Sequence, residues 1–497
     1  MKERGFWFDT EAKLTQRTML PALQHDIAAD IAIIGAGYSG LWTAYYLKHY
    51  QPNLSVVILE ADTIGQGASG RNGGWLMGGF SGDVAYLNQL QGESRLMAKA
   101  LIQQTIAEVA AVCAQHHIDC DLHHGGNLRV AARYPEQLAN IQAELAQWRR
   151  QGFGEADIRW LDKTELDKQV SMAYGQAALF TPHCARIHPA KLVCGLADLV
   201  QSLGVKIYEH TPVNHMAHLG DAQTQLQTPQ GNVRAAIVVP AVEGYLRQLG
   251  ELGRFTLPVQ SLLIATEPLT DEMWQDIGLA NRATFSDASR IVTYGQRSPD
   301  NRLIFGARGG YGFGAKVRTE FGFNPECFNA QSSASHRQSA FKGEFGFRYQ
   351  LLLALFPQLA DVQITHGWGG TLALARQFAP HAIYDKNVGL GLIGGYGGEG
   401  VGAANLFART LVDLILARDT PLTTMPWAFN APVQQVLTPW EPEPLPWLAY
   451  HGMNKIFAWE DMLYSQPKSA AWQKGLAKRL ANRLEGLMSL STYKPDS

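Results

Sequence analysis

The 497-residue chain lacks a strong net charge, because 42 lysines and arginines nearly balance 44 aspartates and glutamates to give a formal charge of −2. A balanced chain of this kind produces no overall field that would attract nucleic acid or an anionic membrane. Cysteines are scarce as well. The five present form no CxxC pair and are an odd number, which is unlike a disulfide scaffold and favours a reducing cytoplasm. The expected partner is therefore a small molecule and not a nucleic acid.

Long apolar runs and common catalytic or metal motifs are absent too. No stretch of about 18 uncharged apolar residues occurs, and residues 1–9 form no continuous apolar segment, so neither a spanning helix nor a secretion signal is predicted. The histidines at 116–117, 123–124, 183 and 188 do not have the spacing of a four-ligand set. No GxSxG elbow joins a strand to a helix. We therefore predict no metal site and disfavour hydrolase chemistry.

A strand–helix–strand unit occupies residues 30–60. The apolar runs at 30–34 and 56–59 predict two buried parallel strands, and GAGYSG at 35–40 lies where the first strand gives way to a helix pattern. Gly35 permits a tight turn, Gly37 lets the backbone approach a pyrophosphate, and Gly40 lets the helix lie against the strand. The start of the helix adds unpaired amides and the positive end of its dipole. This unit predicts a bound dinucleotide.

The residues after the second strand favour FAD over NAD. Glu60, at the end of that strand, would accept hydrogen bonds from a ribose hydroxyl. Residues 65–74, GQGASGRNGG, suggest backbone laid against a flat, extended ligand, with a flexible loop as the alternative. Trp75 would wall the isoalloxazine ring or fill the core. A distal glycine block at 394–400 opens another helix, whose amides suit negative charge that develops on a reduced flavin.

These motifs, with further pieces at 187–192, 209–213, 265–269, 302–306 and 368–370, resemble the D-amino-acid oxidase-like family of FAD-dependent oxidoreductases over nearly the whole chain. The gamma-glutamylputrescine oxidase-like branch is most similar, through GASGRNGGW at 67–75. The resemblance implies an α/β, Rossmann-type, glutathione-reductase-like FAD-binding domain and an α+β substrate domain with a large antiparallel sheet. We expect the FAD-binding domain at 26–85, 156–243 and 361–418, the substrate or cap domain at 86–155 and 244–360, and a C-terminal extension at 419–497.

The resemblance also implies which residues bind the cofactor. Two departures from the family pattern matter. Glu399 stands where many members have the histidine of Gly-His-Gly, and an acid there would suit a cationic amine. No cysteine lies between residues 195 and 326, so we expect FAD to be bound non-covalently. The expected cofactor-binding residues are Gly35, Gly37, Tyr38, Ser39, Gly40, Glu60, Ala61, Gly67, Ala68, Ser69, Arg71, Asn72, Gly73, Gly74, Trp75, Val213, Gly370, Gly397, Gly398, Glu399, Gly400 and Val401.

Candidate substrate contacts follow from the same resemblance. Arg376 lies where amino-acid-specific relatives bind the substrate carboxylate with an arginine, and the alternative is a salt-bridged scaffold arginine. Glu399 and Tyr294 are the other catalytic candidates. Tyr294, Arg308 and Tyr311, on one predicted sheet, rank second, and each is equally plausible as a structural residue.

The predicted activity is FAD-dependent oxidation of the C–N bond of an amine or amino acid, with hydride transfer to flavin N5 and hydrolysis of the resulting imine. A gamma-glutamylputrescine-like amine is one candidate substrate. The electron acceptor stays open between oxygen, which implies an oxidase, and a quinone or carrier, which implies a dehydrogenase of the same fold. A non-catalytic flavin-binding protein is the alternative from a different class. The sequence also leaves the oligomeric state open.

Two segments of the sequence can each be interpreted in two ways. The polar stretch at 329–343 is interpreted as a surface loop, with a lid over the site as the alternative. Near the C-terminus, Trp472, Leu476, Leu480 and Leu484 share one face of an amphipathic helix that also carries basic residues. Such a helix either packs on its own domain or makes peripheral contact with a membrane surface.

Overall fold

The structure is a computed structural model that describes residues 5–220, 223–328, 343–466 and 468–489. The loop predicted at 329–343 lies outside the described residues, apart from Gly343. The α-helices are α1 (Phe6–Asp9), α2 (Ala12–Thr15), α3 (Tyr38–Tyr50), α4 (Asp83–Leu87), α5 (Gly92–Gln103), α6 (Thr105–Gln115), α7 (Glu136–Arg150), α8 (Lys163–Asp167), α9 (Pro189–Ser202), α10 (Asp271–Ile277), α11 (Glu344–Leu355), α12 (Gly400–Ile415), α13 (Val433–Val436), α14 (Leu445–Ser465) and α15 (Ala471–Ser489).

The strands fall into three sheets. They are β1 (Ile27–Ile34), β2 (Val56–Leu59), β3 (Trp75–Met77), β4 (Asn127–Ala131), β5 (Arg159–Leu161), β6 (Ala177–Thr181), β7 (Cys184–Arg186), β8 (Lys206–Tyr208), β9 (His215–Gly220), β10 (Gln223–Gln227), β11 (Asn232–Pro240), β12 (Thr256–Thr266), β13 (Thr284–Asp287), β14 (Thr293–Arg297), β15 (Leu303–Tyr311), β16 (Ile364–Ala375), β17 (His381–Asp385), β18 (Leu390–Gly394) and β19 (Ala428–Phe429).

The first sheet contains the strand–helix–strand unit predicted at residues 30–60. Its described strands run in the order β19-β17-β18-β11-β1-β2-β8, with β10 beside β11 and β9 beside β10. The five strands from β18 to β8 pair in parallel. Parallel strands bring their carboxyl ends to one edge of a sheet, so the turns that follow β1, β11 and β18 meet there. Helices α3 and α12 begin at this edge.

The second sheet is the large antiparallel sheet that the sequence predicts. Its described strands run in the order β16-β12-β15-β14-β13-β4-β6-β5, and β13 with β4 is the parallel pair among them. One face packs against α11 in a core that includes Leu262, Phe305 and Leu352. Leu263, on the opposite face of β12, belongs to the core of the first sheet. The second sheet therefore presents this opposite face to the glycine-rich segments of the first.

Strand pairing departs from the predicted domain boundaries at three places. Strands β5 and β6 fall within 156–243 yet extend the second sheet through β4. Strand β16 falls within 361–418 but pairs with β12. In the segment assigned to the C-terminal extension, β19 joins the first sheet and Trp427 is buried in its core. The pairings of β6 with β4, β16 with β12 and β19 with β17 join strands more distant in sequence, which local patterns do not report.

The C-terminal helices pack against the second sheet. Arg133 forms a bidentate ion pair with Asp461 of α14, at 2.8 and 2.9 Å. The hydroxyl of Tyr450 donates to the Gly309 carbonyl of β15 at 2.8 Å. Helix α14 is thus fixed to the strand that carries Arg308.

Helix α15 is amphipathic, as predicted, but the large apolar side chains do not form its buried face. Ala477 and Ala481 are fully buried, whereas Trp472, Leu476 and Leu480 are 68%, 37% and 38% exposed. The alanines allow close approach to α14. The face that carries Trp472 is left to solvent.

Helices α5 and α6 together, Gly92–Gln115, are long and apolar enough to cross a membrane by length and composition, with a mean hydropathy of 1.3 and 39% of the window buried. The sequence predicts no spanning helix, because it contains no uninterrupted apolar run of that length. Core helices meet the same criterion, and Ile102, Ile106 and Val109 are buried in the core of the first sheet. We interpret this pair as core helices.

Candidate active site

The turn after β1 has no room for side chains at its glycines. Gly35 adopts φ +102°, and a Cβ there would lie 2.9 Å from the Ala241 carbonyl. At Gly37 a Cβ would lie 2.8 Å from Ser69 Oγ, and at Gly40 it would lie 2.1 Å from the Gly35 carbonyl. Each contact is closer than a real Cβ tolerates. The turn therefore brings bare backbone to the start of α3, as the interpretation of GAGYSG requires.

Glu60 lies beside this turn at the end of β2. Its carboxylate accepts the backbone N–H groups of Ala36 at 2.8 Å and Asp62 at 2.9 Å. Burial raises the pKa of Glu60 to about 7, although both hydrogen bonds oppose the shift. A ligand hydroxyl that donates to this carboxylate would stabilise its charged form.

One cavity of about 310 Å³ connects the turns that follow β1, β11 and β18. Fourteen of the predicted cofactor residues line it: Gly35, Gly37, Tyr38, Ser39, Glu60, Ala61, Gly67, Ala68, Ser69, Asn72, Val213, Gly398, Gly400 and Val401. The other eight are not among its lining residues: Gly40, Arg71, Gly73, Gly74, Trp75, Gly370, Gly397 and Glu399.

Two buried indoles hold the segment that carries Ser69 and Asn72. Trp7 Nε1 donates to the Asn72 carbonyl at 2.8 Å, and Trp368 Nε1 donates to the Arg71 carbonyl at 2.9 Å. On the cavity side, Ser69 Oγ accepts the Tyr38 N–H at 2.9 Å. The segment is thus a fixed wall and not the flexible loop that the sequence left as an alternative.

The distal glycine block forms a turn between β18 and α12. Gly397 adopts φ +66° and Gly398 φ +141°, and Arg308 Nη2 of the second sheet donates to the Gly397 carbonyl at 2.8 Å. Glu399 precedes the first residue of α12. Burial raises the pKa of Glu399, while Arg308 and the Ser81 hydroxyl oppose that shift. The second sheet therefore places the Arg308 cation beside the start of α12, where the carboxyl group of Glu399 lies.

Tyr294 joins the second sheet to the segment before β3. A Cβ on Gly73 would lie 2.8 Å from the Tyr294 ring, the Trp75 ring meets it edge-on at 6.1 Å, and Ser261 Oγ lies 2.7 Å from its hydroxyl. Burial raises the pKa of Tyr294 to about 12. Its hydroxyl is thus neutral at physiological pH.

Arg376 is directed toward the C-terminal extension. Its Nη2 forms an ion pair with Glu441 at 3.1 Å, and its guanidinium lies 5.0 Å from the centre of the Trp440 ring. This arrangement matches the scaffold alternative for Arg376, and a substrate role stays a prediction.

Sequence reasoning missed several residues that line the cavity. Glu243 follows β11 and accepts three backbone N–H groups. Tyr396, from the distal block, places its hydroxyl 2.9 Å from Ser39 Oγ. Thr319, from the predicted substrate domain, and Thr371, from within the predicted FAD-binding segment 361–418, also line the cavity. An acid directly after a buried strand was a visible signal for Glu243, whereas the two threonines carry no local signal.

The described residues fit an extended dinucleotide such as FAD. The cavity connects Glu60, where a ribose hydroxyl is expected, with Gly398 at the start of α12. Between them it passes the bare backbone at Gly37, which a Cβ would obstruct. Among the described residues, none of those that line the cavity is a cysteine or a histidine.

Comparisons with known proteins agree with this geometry. Residues 30–414 match a family model described as FAD dependent oxidoreductase, DAO. The gamma-glutamylputrescine oxidoreductase of Escherichia coli is 28% identical over 397 residues, which cover 79% of this chain and 85% of that protein. A probable oxidoreductase, OrdL, of Haemophilus influenzae is 27% identical over 433 residues, covering 84% and 90%. Glycine oxidase from Geobacillus kaustophilus shares the fold, with a TM-score of 0.63 at 20% identity over 82% of this chain and 99% of that one.

Proposed function

The chain belongs to the DAO family of FAD-dependent oxidoreductases, and from that membership we propose that it oxidises the C–N bond of an amine or amino acid. Named relatives support this substrate class, since they include gamma-glutamylputrescine oxidoreductase, a sarcosine oxidase subunit beta and a glycine oxidase. The chemistry that bound FAD supplies is acceptance of a hydride from the carbon beside the nitrogen, which leaves an imine for water to hydrolyse.

One observation carries the assignment of the reaction site. The second sheet contacts both flavin-binding segments, through Tyr294 against Gly73 and through Arg308 at the Gly397 carbonyl. A substrate between the sheet and these segments would be enclosed by side chains and shielded from water, so that positioning supplies much of the rate enhancement.

The residues at this face receive separate roles. We assign Tyr294 the role of bordering the substrate as a neutral hydrogen-bonding group. The carboxyl group of Glu399, whose pKa burial raises, is suited to hold a proton removed from the substrate ammonium, because the reacting amine must be neutral. Arg376 is kept as a weaker candidate, since Glu441 already engages it.

The test is an anaerobic titration of the purified holoenzyme with a panel of amines and amino acids, including gamma-glutamylputrescine, while the visible flavin band is recorded. Bleaching by one chemical class would identify the substrate class. Readmission of air would then separate an oxidase, which regains its colour, from a dehydrogenase, which needs a quinone or carrier. A yellow protein that no amine bleaches would contradict the proposed reaction.

We further propose that FAD is held non-covalently, which the absence of cysteine and histidine among the described cavity-lining residues supports. Acid precipitation of the holoenzyme should leave all FAD in the supernatant. The cytoplasm is the proposed location, and the five free cysteines support it.

A peripheral role for α15 is a second proposal, and the exposed side chains of Trp472, Leu476 and Leu480 carry it. Arg479 and Arg483 are exposed too, and at about 100° per residue they lie on the Trp472 side of this face. An aromatic and aliphatic stripe with a basic border suits the interface of an anionic lipid surface. The residues from Trp472 to Leu480 span only about 12 Å of helix. A stripe of that length offers a small surface compared with the roughly 800 Å² that each partner buries in a stable protein interface.

A further inference from the structure

Two pairs of side chains face each other beside Gly73. Trp75 of β3 and Arg186 of β7 are directly opposite in an antiparallel pair, so their side chains project from the same face. Tyr294 and Gln296, two residues apart on β14, share a face of the second sheet. The Trp75 and Tyr294 rings lie 6.1 Å apart, and Gln296 Nε2 donates to the Gly73 carbonyl. The two faces therefore meet at the flavin-binding segment.

Polar atoms in this cluster are buried without a protein partner. Among the described residues, no group accepts a hydrogen bond from Arg186 Nε, Arg186 Nη1 or Trp75 Nε1, and none donates to Gln296 Oε1. Arg186 is only 7% exposed and Gln296 is fully buried. Unpaired buried polar groups are unfavourable, and a buried guanidinium without an anion is especially so. Three donor atoms and one acceptor atom are thus available to a ligand with complementary polar groups.

The surrounding charges make the guanidinium more unusual. Burial, together with the positive charges of Arg282 and Arg297, lowers the pKa of Arg186 to about 10. The nearby carboxylate of Asp121 opposes this shift, but it is engaged by Lys191 at 3.0 Å. The local charge is therefore positive and lacks a dedicated counterion.

We infer that Arg186 and Trp75 form the anion-binding end of the substrate site and accept a carboxylate, while Gln296 Oε1 accepts a donor of the same ligand. The inference rests on the proposed function and narrows it, because the substrate then is an amine that also carries a carboxylate. Hydrogen bonds from a guanidinium to a carboxylate are charge-assisted and stronger than neutral ones. In this inference Arg186 on β7 binds the substrate carboxylate, the role that the sequence analysis expected for Arg376.

Binding is tested first, without turnover, on the FAD-loaded enzyme with glutarate, a carboxylate that has no amine to oxidise. Glutarate should raise the melting temperature of the wild type, and R186Q should abolish that rise. W75F, which keeps the ring and loses Nε1, should weaken it, and R186K should retain part of it. R302Q, which removes an arginine paired with Asp300 elsewhere on the second sheet, should respond as the wild type does. An equal response of the wild type and R186Q would overturn the inference.

Steady-state kinetics test the substrate assignment. With an amine that carries a carboxylate, R186Q should raise KM by about 10- to 100-fold, the loss expected for a charged hydrogen bond. With the matching amine that lacks the carboxylate, R186Q should change KM far less, because the lost interaction is with the carboxylate. If inorganic phosphate stabilised the wild type as well as glutarate does, and KM did not change, a free anion would occupy the site and the substrate assignment would fail.

The two proposals fail in distinguishable ways. If no amine bleaches the flavin but glutarate binds through Arg186, the reaction is wrong and the anion site stands. If amines bleach the flavin and R186Q neither loses the glutarate response nor changes KM, the reaction stands and the anion site is wrong.

Discussion

The carboxylate of Glu243 accepts the backbone N–H of Gly395 at 3.0 Å. It also accepts the N–H groups of Tyr396 and Ala373, both at 3.2 Å. Glu243 adopts φ +47°, a left-handed conformation that is uncommon for a residue with a side chain. One side chain at the cavity wall thus connects the turns after β11 and β18 with β16 of the second sheet.

Glu243→Gln is expected to weaken FAD binding. The variant cannot accept all three N–H groups, because an amide offers one oxygen where the carboxylate offers two. Loss of a hydrogen bond to a charged group costs about 1.5–3 kcal/mol, so the dissociation constant of FAD should rise about 10- to 100-fold. Fluorescence titration of the apoprotein with FAD measures it.

The matched control for this experiment is Glu267→Gln. Glu267 accepts the Gln363 N–H at 3.1 Å and connects β12 with the segment before β16. It does not line the cavity. An equal loss of FAD affinity in the two variants would show that Glu243 acts only through general stability.

Glu60 predicts a pH dependence of apoprotein stability. Its pKa is raised by burial to about 7 in the folded chain, against about 4.3 in an unfolded one. Between these values the folded state holds the proton and the unfolded state does not, so this group's contribution to stability falls as pH rises through the window. The stability of Glu60→Gln minus that of the wild type should therefore be larger at pH 8 than at pH 5.

Melting temperatures of both apoproteins across this range provide the measurement. The variant loses hydrogen bonds to Ala36 and Asp62, which lowers its stability at every pH. The informative quantity is therefore how the difference in melting temperature between the variant and the wild type changes with pH. A constant difference from pH 5 to pH 8 would mean that Glu60 titrates as it does in the unfolded chain.

The strand–helix–strand unit, the FAD cofactor and the family could be predicted because their signals are local. The segment at 35–40 and Glu60 lie within one crossover, and the family match over residues 30–414 confirms the resemblance. Arg186 and Trp75 are 111 positions apart, and only the pairing of β3 with β7 brings them together. No periodicity reports such a pairing. The same limit explains why Arg376, chosen from its position near residue 368, gained a partner in Glu441 that the sequence did not indicate.

Arg376 and Glu441 should behave as a structural pair. The Glu441 side chain is 45% exposed, and ion pairs of this kind contribute about 0–1 kcal/mol. We expect Arg376→Gln and Glu441→Gln to lower the melting temperature by similar small amounts and to change KM less than about twofold. A large rise in KM in Arg376→Gln alone would restore Arg376 as the residue that binds the substrate carboxylate.

The exposed face of α15 should bind anionic lipid. Trp472→Ser combined with Leu476→Ser removes the largest exposed side chains of the stripe without touching the buried Ala477 and Ala481, so the fold and the flavin content should persist. Sedimentation with phosphatidylcholine vesicles, with and without phosphatidylglycerol, measures the binding. The wild type should sediment only with the anionic vesicles, and the variant should stay in the supernatant.

Met19→Ser is the control for the lipid experiment, since Met19 is 57% exposed and lies far from α15 in sequence. It should sediment as the wild type does. High salt should release the wild type, because the basic border acts through screened charges. If the wild type ignored both kinds of vesicle but formed dimers that the Trp472→Ser, Leu476→Ser variant lost, the stripe would be an interface between copies of the chain. Binding that neither salt nor the variant changed would place the membrane contact outside the α15 stripe.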